Sequence, residues 1–99
     1  MGGIAVILNP ASGTGTGESA AQKIAELFAA RGAEATVTLA SDGAALRQAA
    51  DAAVEAGCRI LVAGGGDGTV NALAGAVVGR DVRFGVLPLG TLNHFAKDL

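Results

Sequence analysis

Apolar residues along the chain fall into short unbroken runs that alternate with stretches of helical spacing. Ile4-Ala5-Val6-Ile7-Leu8 is continuously apolar and stops at Asn9-Pro10. A run without polar alternation predicts a strand covered on both faces, as in parallel sheets. After a Ser/Gly/Thr loop from Ala11 to Gly17, residues Ala20, Ile24, Leu27 and Phe28 recur at helical spacing until Arg31-Gly32. Ala35 to Leu39 reads as a second strand. Ser41-Asp42-Gly43 is a turn with a good N-cap, and Leu46, Ala49, Ala50 and Ala53 form the next helical stripe, closed at Gly57. Arg59 to Ala63 reads as the third strand, Val70, Leu73, Ala74 and Val77 mark a third helix, and Arg83 to Leu87 is the fourth strand. A last helix is predicted to begin near Asn93.

The order βαβαβαβ(α) predicts an α/β fold of three layers, a mostly parallel sheet with helices on both faces. No linker or repeat divides it, so residues 1–99 read as one domain. Ligands of such sheets sit beyond the carboxyl ends of the strands. The loops after the first, third and fourth strands are therefore expected to converge at one edge.

Composition narrows the function. Apolar residues make up 51% of the chain, yet only Phe28, Phe84 and Phe95 are aromatic, so the core must come from Ala, Val, Leu and Ile. Net charge is −2, and Lys23, Arg31, Arg47, Arg59, Arg80, Arg83 and Lys97 form no basic stripe. Without that stripe or aromatics for base stacking, nucleic acid is not an expected partner. Cys58 stands alone, which rules out an intrachain disulfide and a cysteine metal site; a small buried hydrophobe is the expected role. A reducing, cytoplasmic setting follows as the expectation. No apolar run approaches the roughly 20 residues of a membrane span, and Gly2-Gly3 leads straight into the first strand without a leader pattern.

The most informative stretch is Gly64-Gly65-Gly66-Asp67-Gly68-Thr69, between a strand and a helix. Glycines there let backbone N–H groups approach a ligand, and the helix adds its positive end, which suits an anion. A carboxylate in that loop would repel a bare phosphate. Asp67 therefore points to a helix cap or to a partner carrying its own cation, such as a magnesium nucleotide. Thr69 can cap the helix or donate to phosphate, and Asn71 is placed in its first turn.

The first loop, Asn9 to Ser19, fails as a Walker A loop because Glu18 stands where the lysine belongs. Gly15, Gly17 and Ala20 fit a dinucleotide pattern, but too far beyond the strand for the usual fingerprint. Asn9 and Ser12 offer an amide and a hydroxyl, and Gly13 a close backbone approach. The third loop, Pro88-Leu89-Gly90-Thr91-Leu92-Asn93, presents Thr91 and Asn93 at another loop-to-helix boundary.

Three blocks in order, Asn9-Pro10-Ala11-Ser12-Gly13 for N-P-x-S-G, Gly65 to Thr69 for G-G-D-G-T, and Pro88 to Asn93 for P-x-G-T-x-N, resemble the diacylglycerol kinase catalytic domain. That lipid kinase family includes sphingosine and ceramide kinases. The resemblance implies the N-terminal nucleotide-binding half of such a domain, a phosphofructokinase-like or Rossmann-like half domain, with a second, β-rich domain absent from this chain. It implies ATP and Mg²⁺ as cofactors, and phosphoryl transfer to a lipid hydroxyl such as that of diacylglycerol in the full-length enzyme. Asn9, Pro10, Ala11, Ser12, Gly13, Thr38, Gly65, Gly66, Asp67, Gly68, Thr69, Val70, Asn71 and Thr91 then take up ATP, with Asp67 toward the metal. The catalytic carboxylate is expected beyond Leu99, and the fragment alone is expected to be inactive.

The chain departs from the family pattern at Ala72 and His94, where the family usually has acidic residues, so two negative charges near the phosphates are missing. Rival readings are an NAD-kinase-like enzyme, a non-catalytic nucleotide-binding module, and a dinucleotide-binding oxidoreductase built on Gly15, Gly17 and Ala20. Lipid access implies peripheral membrane contact, and apolar surface left by a missing partner domain implies self-association as a homo-oligomer.

Overall fold

The computed structural model describes residues 3–10 and 17–87. Its elements follow the expected alternation: β1 (Ile4–Leu8), α1 (Gly17–Ala30), β2 (Ala35–Leu39), α2 (Gly43–Glu55), β3 (Ile60–Gly64), α3 (Asp67–Val77) and β4 (Arg83–Leu87). The strands form one sheet in the order β2-β1-β3-β4, every pair parallel. The last predicted helix, near Asn93, lies outside the described residues.

β1 is the strand with the longest apolar run, and it sits inside the sheet with Ala5, Val6, Ile7 and Leu8 buried. Successive side chains of a strand point to opposite faces. Val6 and Leu8 accordingly pack with Ile24 of α1, while Ala5 and Ile7 join Leu46, Ala50 and Val54 of α2 and Leu73 and Ala76 of α3. The result is three layers, α1 on one face and α2 with α3 on the other. The core is Ala, Val, Leu and Ile, as composition requires; Phe28 and Phe84 only flank it. Burying each of the larger aliphatic side chains contributes about 1.5–3 kcal/mol.

Coverage on both faces holds for β1 but not for the edges. β2 leaves Thr36, Thr38 and Leu39 exposed, and β4 leaves Arg83 and Val86 exposed. The chain punctuates its helices as the sequence signals. Asp42 caps α2, its Oδ1 accepting the Ala45 N–H at 2.8 Å. Gly32 and Gly57 leave α1 and α2 at φ of +78° and +94°, values glycine adopts without strain. Cys58 is buried at the start of the β3 approach, and burial pushes its thiol up from its ordinary value. Among the described residues no helix is long and apolar enough to cross a membrane.

The third strand runs one residue later than the apolar pattern suggests, from Ile60 to Gly64. Gly64 pairs with Leu8 on one side and Leu87 on the other, and its carbonyl accepts the Asn9 N–H at 2.9 Å. A Cβ on Gly64 would lie 3.1 Å from Leu8 Cγ. The glycine therefore admits the Leu8 side chain and closes the sheet directly under the loops.

Candidate site at the carboxyl edge of the sheet

β1 leads into Asn9-Pro10 and β3 leads into Gly65-Gly66, so the first and second sequence blocks leave the sheet side by side. Between them the Asn9 Nδ2 amide donates to Thr69 Oγ1 at 3.2 Å, across 60 residues of sequence. Thr69 is 3% exposed despite its hydroxyl. Gly65 makes that burial feasible. Its φ is +157°, and a Cβ there would stand 2.7 Å from Thr69 Oγ1 and 2.9 Å from Thr69 Cβ. Only glycine lets the turn close over the threonine.

α3 then starts at Asp67, earlier than its apolar stripe indicates. Its N-cap is Gly66, with φ −89° and ψ −168°, a residue that has no side chain to cap the helix. The Gly66 carbonyl accepts the Val70 N–H at 3.0 Å. The amides of the first turn have no intrahelical acceptor, and the helix dipole makes this end attract negative charge. Among the described residues, nothing stands within 4 Å of the positions a Cβ would take on Gly66 and Gly68. The described residues leave the amides of this helix start uncovered by side chains at both glycines.

This geometry corrects two expectations. Thr69 is not the helix cap: it is the third helical residue and accepts from Asn9. Asn71 is exposed in the second turn, not the first. Asp67 is exposed at the first helical position, where a carboxylate is favoured by the helix dipole. Val70 is half-buried against the core shared by α2 and α3, so its side chain serves packing.

Other assigned residues fall elsewhere. Pro10 follows Asn9 half-buried at the same edge. Thr38 pairs in register with Ile7, one residue before the end of β2. It lines a cavity of about 310 Å³ under α2 whose walls include Ile7, Ala49, Ala53 and Cys58. Ala11, Ser12, Gly13 and Thr91 lie outside the described residues, as do the third loop and His94. Among the described residues no three His, Cys, Asp or Glu side chains come together as a metal cage. Among the described residues Asp67 would hold Mg²⁺ as a single carboxylate, with phosphate and water oxygens completing the shell, which is how that ion is usually bound.

Sequence reasoning missed the Asn9–Thr69 link and the packing role of Gly64. The first carried a signal: a polar residue just after one strand and another in the first turn of the helix that follows the neighbouring strand. The second depended on the register of β1 against β3, which no local pattern reveals.

A parallel three-layer α/β domain of this kind, with a glycine-rich helix start at its carboxyl edge, is a Rossmann-like fold. A family model for the diacylglycerol kinase catalytic domain matches residues 3–99, and the chain belongs to that family. It is similar to a diacylglycerol kinase of Mycobacterium tuberculosis, 30% identical over 98 residues, covering 99% of this chain and 32% of that protein. It is also similar to a probable lipid kinase YegS-like of Pseudomonas aeruginosa, 42% identical over 68 residues, 67% of this chain and 22% of the relative. A protein of the same description from Enterobacter sp. is 48% identical over 48 residues, 44% of this chain and 16% of the relative. The chain spans about a third or less of the length of these relatives.

Proposed function

We propose that this domain holds the phosphates of Mg·ATP at the start of α3 and presents the donor for phosphoryl transfer to a lipid hydroxyl, diacylglycerol or a chemical relative. The observation that carries this reading is the Asn9–Thr69 hydrogen bond, which ties the first and second family blocks together beside the amides at the start of α3. Family membership supports the lipid acceptor.

In this reading the amides of the Gly66–Thr69 turn bind phosphate oxygens, and the glycines keep side chains out of the way. Asp67 orients the cation that accompanies the nucleotide. Ser12, Gly13 and Thr91 belong to the same site by their places in the three blocks. Phosphoryl transfer depends mostly on such positioning and on neutralising charge. Bound Mg²⁺ supplies that neutralisation, since none of the three blocks contains Lys or Arg. The group that deprotonates the acceptor hydroxyl is assigned to residues beyond this domain.

The test is a transfer assay with radiolabelled ATP on the full-length protein that carries this domain, with diacylglycerol vesicles and NAD offered in parallel. Label in the lipid is expected. Label in NAD without label in lipid would overturn the acceptor assignment.

A further inference from the structure

β2 is an outer strand of the sheet, and among the described residues no strand pairs with its far side. The hydrogen bonds at its end show which backbone groups face that side. The Ala40 N–H donates to the Leu8 carbonyl at 2.9 Å, so in this parallel ladder Thr36, Thr38 and Ala40 turn their backbone groups toward β1. β1 obeys the same alternation: the Asn9 N–H donates to the Gly64 carbonyl, and the Gly3 carbonyl accepts from the Ile60 N–H, both on the β3 side. Ala35, Val37 and Leu39 therefore direct their N–H and C=O groups outward.

Edges of this kind are usually blunted by Lys, Pro or a bulge. Ala35-Thr36-Val37-Thr38-Leu39 contains no charge and no proline, and its register with β1 runs without a break. α2 does not shield it with bulky side chains either. The helix wall beside Thr36 and Thr38 is made of Ala49, Ala52, Ala53 and Ala56, which leaves an open cavity of about 310 Å³. Leu39 is exposed at the end of the strand.

We infer that this edge pairs with the same edge of a second copy of the chain, antiparallel about a two-fold axis at Val37. The strand is nearly a palindrome about that residue. The two-fold register sets Val37 against Val37, Ala35 against Leu39 and Thr36 against Thr38. Since residues 35, 37 and 39 all point outward, each of their contacts is a hydrogen-bonded pair, and every outward N–H and C=O of both strands is satisfied. A slip of one residue would set outward groups against inward ones, and a slip of two would leave an end residue unpaired. The threonine pairs fall on the α2 face, a favourable cross-strand match, and Leu39 covers itself against Ala35 of the other copy. No like charges meet: Glu34 falls opposite Ala40, and the two Glu34 side chains stand at opposite ends of the ribbon. Such self-matching is what a two-fold interface requires. The carboxyl edges then open at opposite ends of the joined sheet, so pairing leaves the Asn9–Thr69 site uncovered. The inference rests on backbone geometry and is independent of the reaction proposed above.

Hydrogen exchange on the unaltered chain, read beside sedimentation over the same concentrations, tests it. A dimer with no larger species is expected. Within it the amides of Ala35, Val37 and Leu39 should be protected, and dilution to monomer should release them while Thr36 and Thr38, already bonded to β1, keep their rates. Thr36→Lys places a charge on each strand of the ribbon and is expected to raise the dissociation constant about tenfold or more, with unchanged far-ultraviolet circular dichroism. A monomer at every concentration overturns the proposal, and so does a dimer in which those three amides exchange as in the monomer. Protection of the three amides in a chain that sediments as a monomer overturns it too, and assigns the edge to another segment of the same chain. The exchange pattern decides the matter even if the lysine variant does not fold.

Discussion

Asn9, just beyond β1, donates its side-chain amide to the hydroxyl of Thr69 in α3 at 3.2 Å. Two blocks separated by most of the chain are thereby held as one wall. Both partners sit where the sheet edge meets the helix start, and Thr69 is nearly fully buried. A neutral hydrogen bond contributes about 0.5–1.5 kcal/mol, and leaving a buried partner unsatisfied costs more. Thr69→Val keeps the shape and removes the acceptor, so it is expected to lower stability by about 1 kcal/mol. Combined with Asn9→Ala in a double-mutant cycle by urea denaturation, it should show clear coupling; strict additivity would mean the bond contributes nothing.

The glycines of the turn differ in what they tolerate. Gly65→Ala places a Cβ 2.7 Å from Thr69 Oγ1, so the turn must open. A loss of roughly 1–3 kcal/mol is expected, as for overpacking elsewhere. Gly68→Ala meets open space inside α3 and should leave the fold intact or stabilise it by up to about 1 kcal/mol. If the proposed function holds, it still weakens Mg·ATP binding, because the new methyl stands beside the amides assigned to phosphate. Thermal melts and calorimetry on the pair separate folding from binding.

Cys58 gives the chain a pH signature. Burial raises its thiol pKa above the ordinary 9.0, while a backbone hydrogen bond opposes the shift. The folded state therefore binds the proton more tightly than the unfolded state does. Its contribution is complete below the unfolded value and is lost as pH rises through the higher folded value. Urea midpoints should fall between neutral pH and pH above 9, and Cys58→Ala should flatten that dependence.

The Asp42 cap is a local test of α2. Its carboxylate satisfies the Ala45 N–H at 2.8 Å, and Asp42→Ala is expected to cost about 1 kcal/mol. Asp42→Asn, which keeps the acceptor, should recover most of it. Equal losses in both variants on denaturation would show that the cap bond is not the cause.

The fold was largely legible because its signals are local. Ile4–Leu8, Ala35–Leu39 and Arg83–Leu87 are bounded by residues that stop strands, and their limits match the sheet. β3 slipped by one residue because glycine gives no strand signal; its membership comes from room for Leu8. The start of α3 was read late for a related reason. Its apolar stripe begins at Val70, whereas the helix begins on Asp67 with a glycine cap that carries no side-chain mark. The two described block ends that meet at the candidate site, Asn9-Pro10 and Gly65 to Thr69, stand out in the sequence. The internal geometry of the site does not, since Asn9 and Thr69 meet only through the β1–β3 register. Thr38 illustrates the converse: a place near a strand end does not settle which face the residue serves, and it lines the cavity under α2.

The most direct test of the account is a titration of the isotope-labelled chain with Mg·ATP, followed by backbone amide shifts. The account predicts saturable changes at Asn9 and from Gly65 to Val70, reduced when Asp67 is replaced by Ala. No changes at any concentration, or changes confined to the cavity lined by Thr36, Thr38 and Cys58, would contradict it.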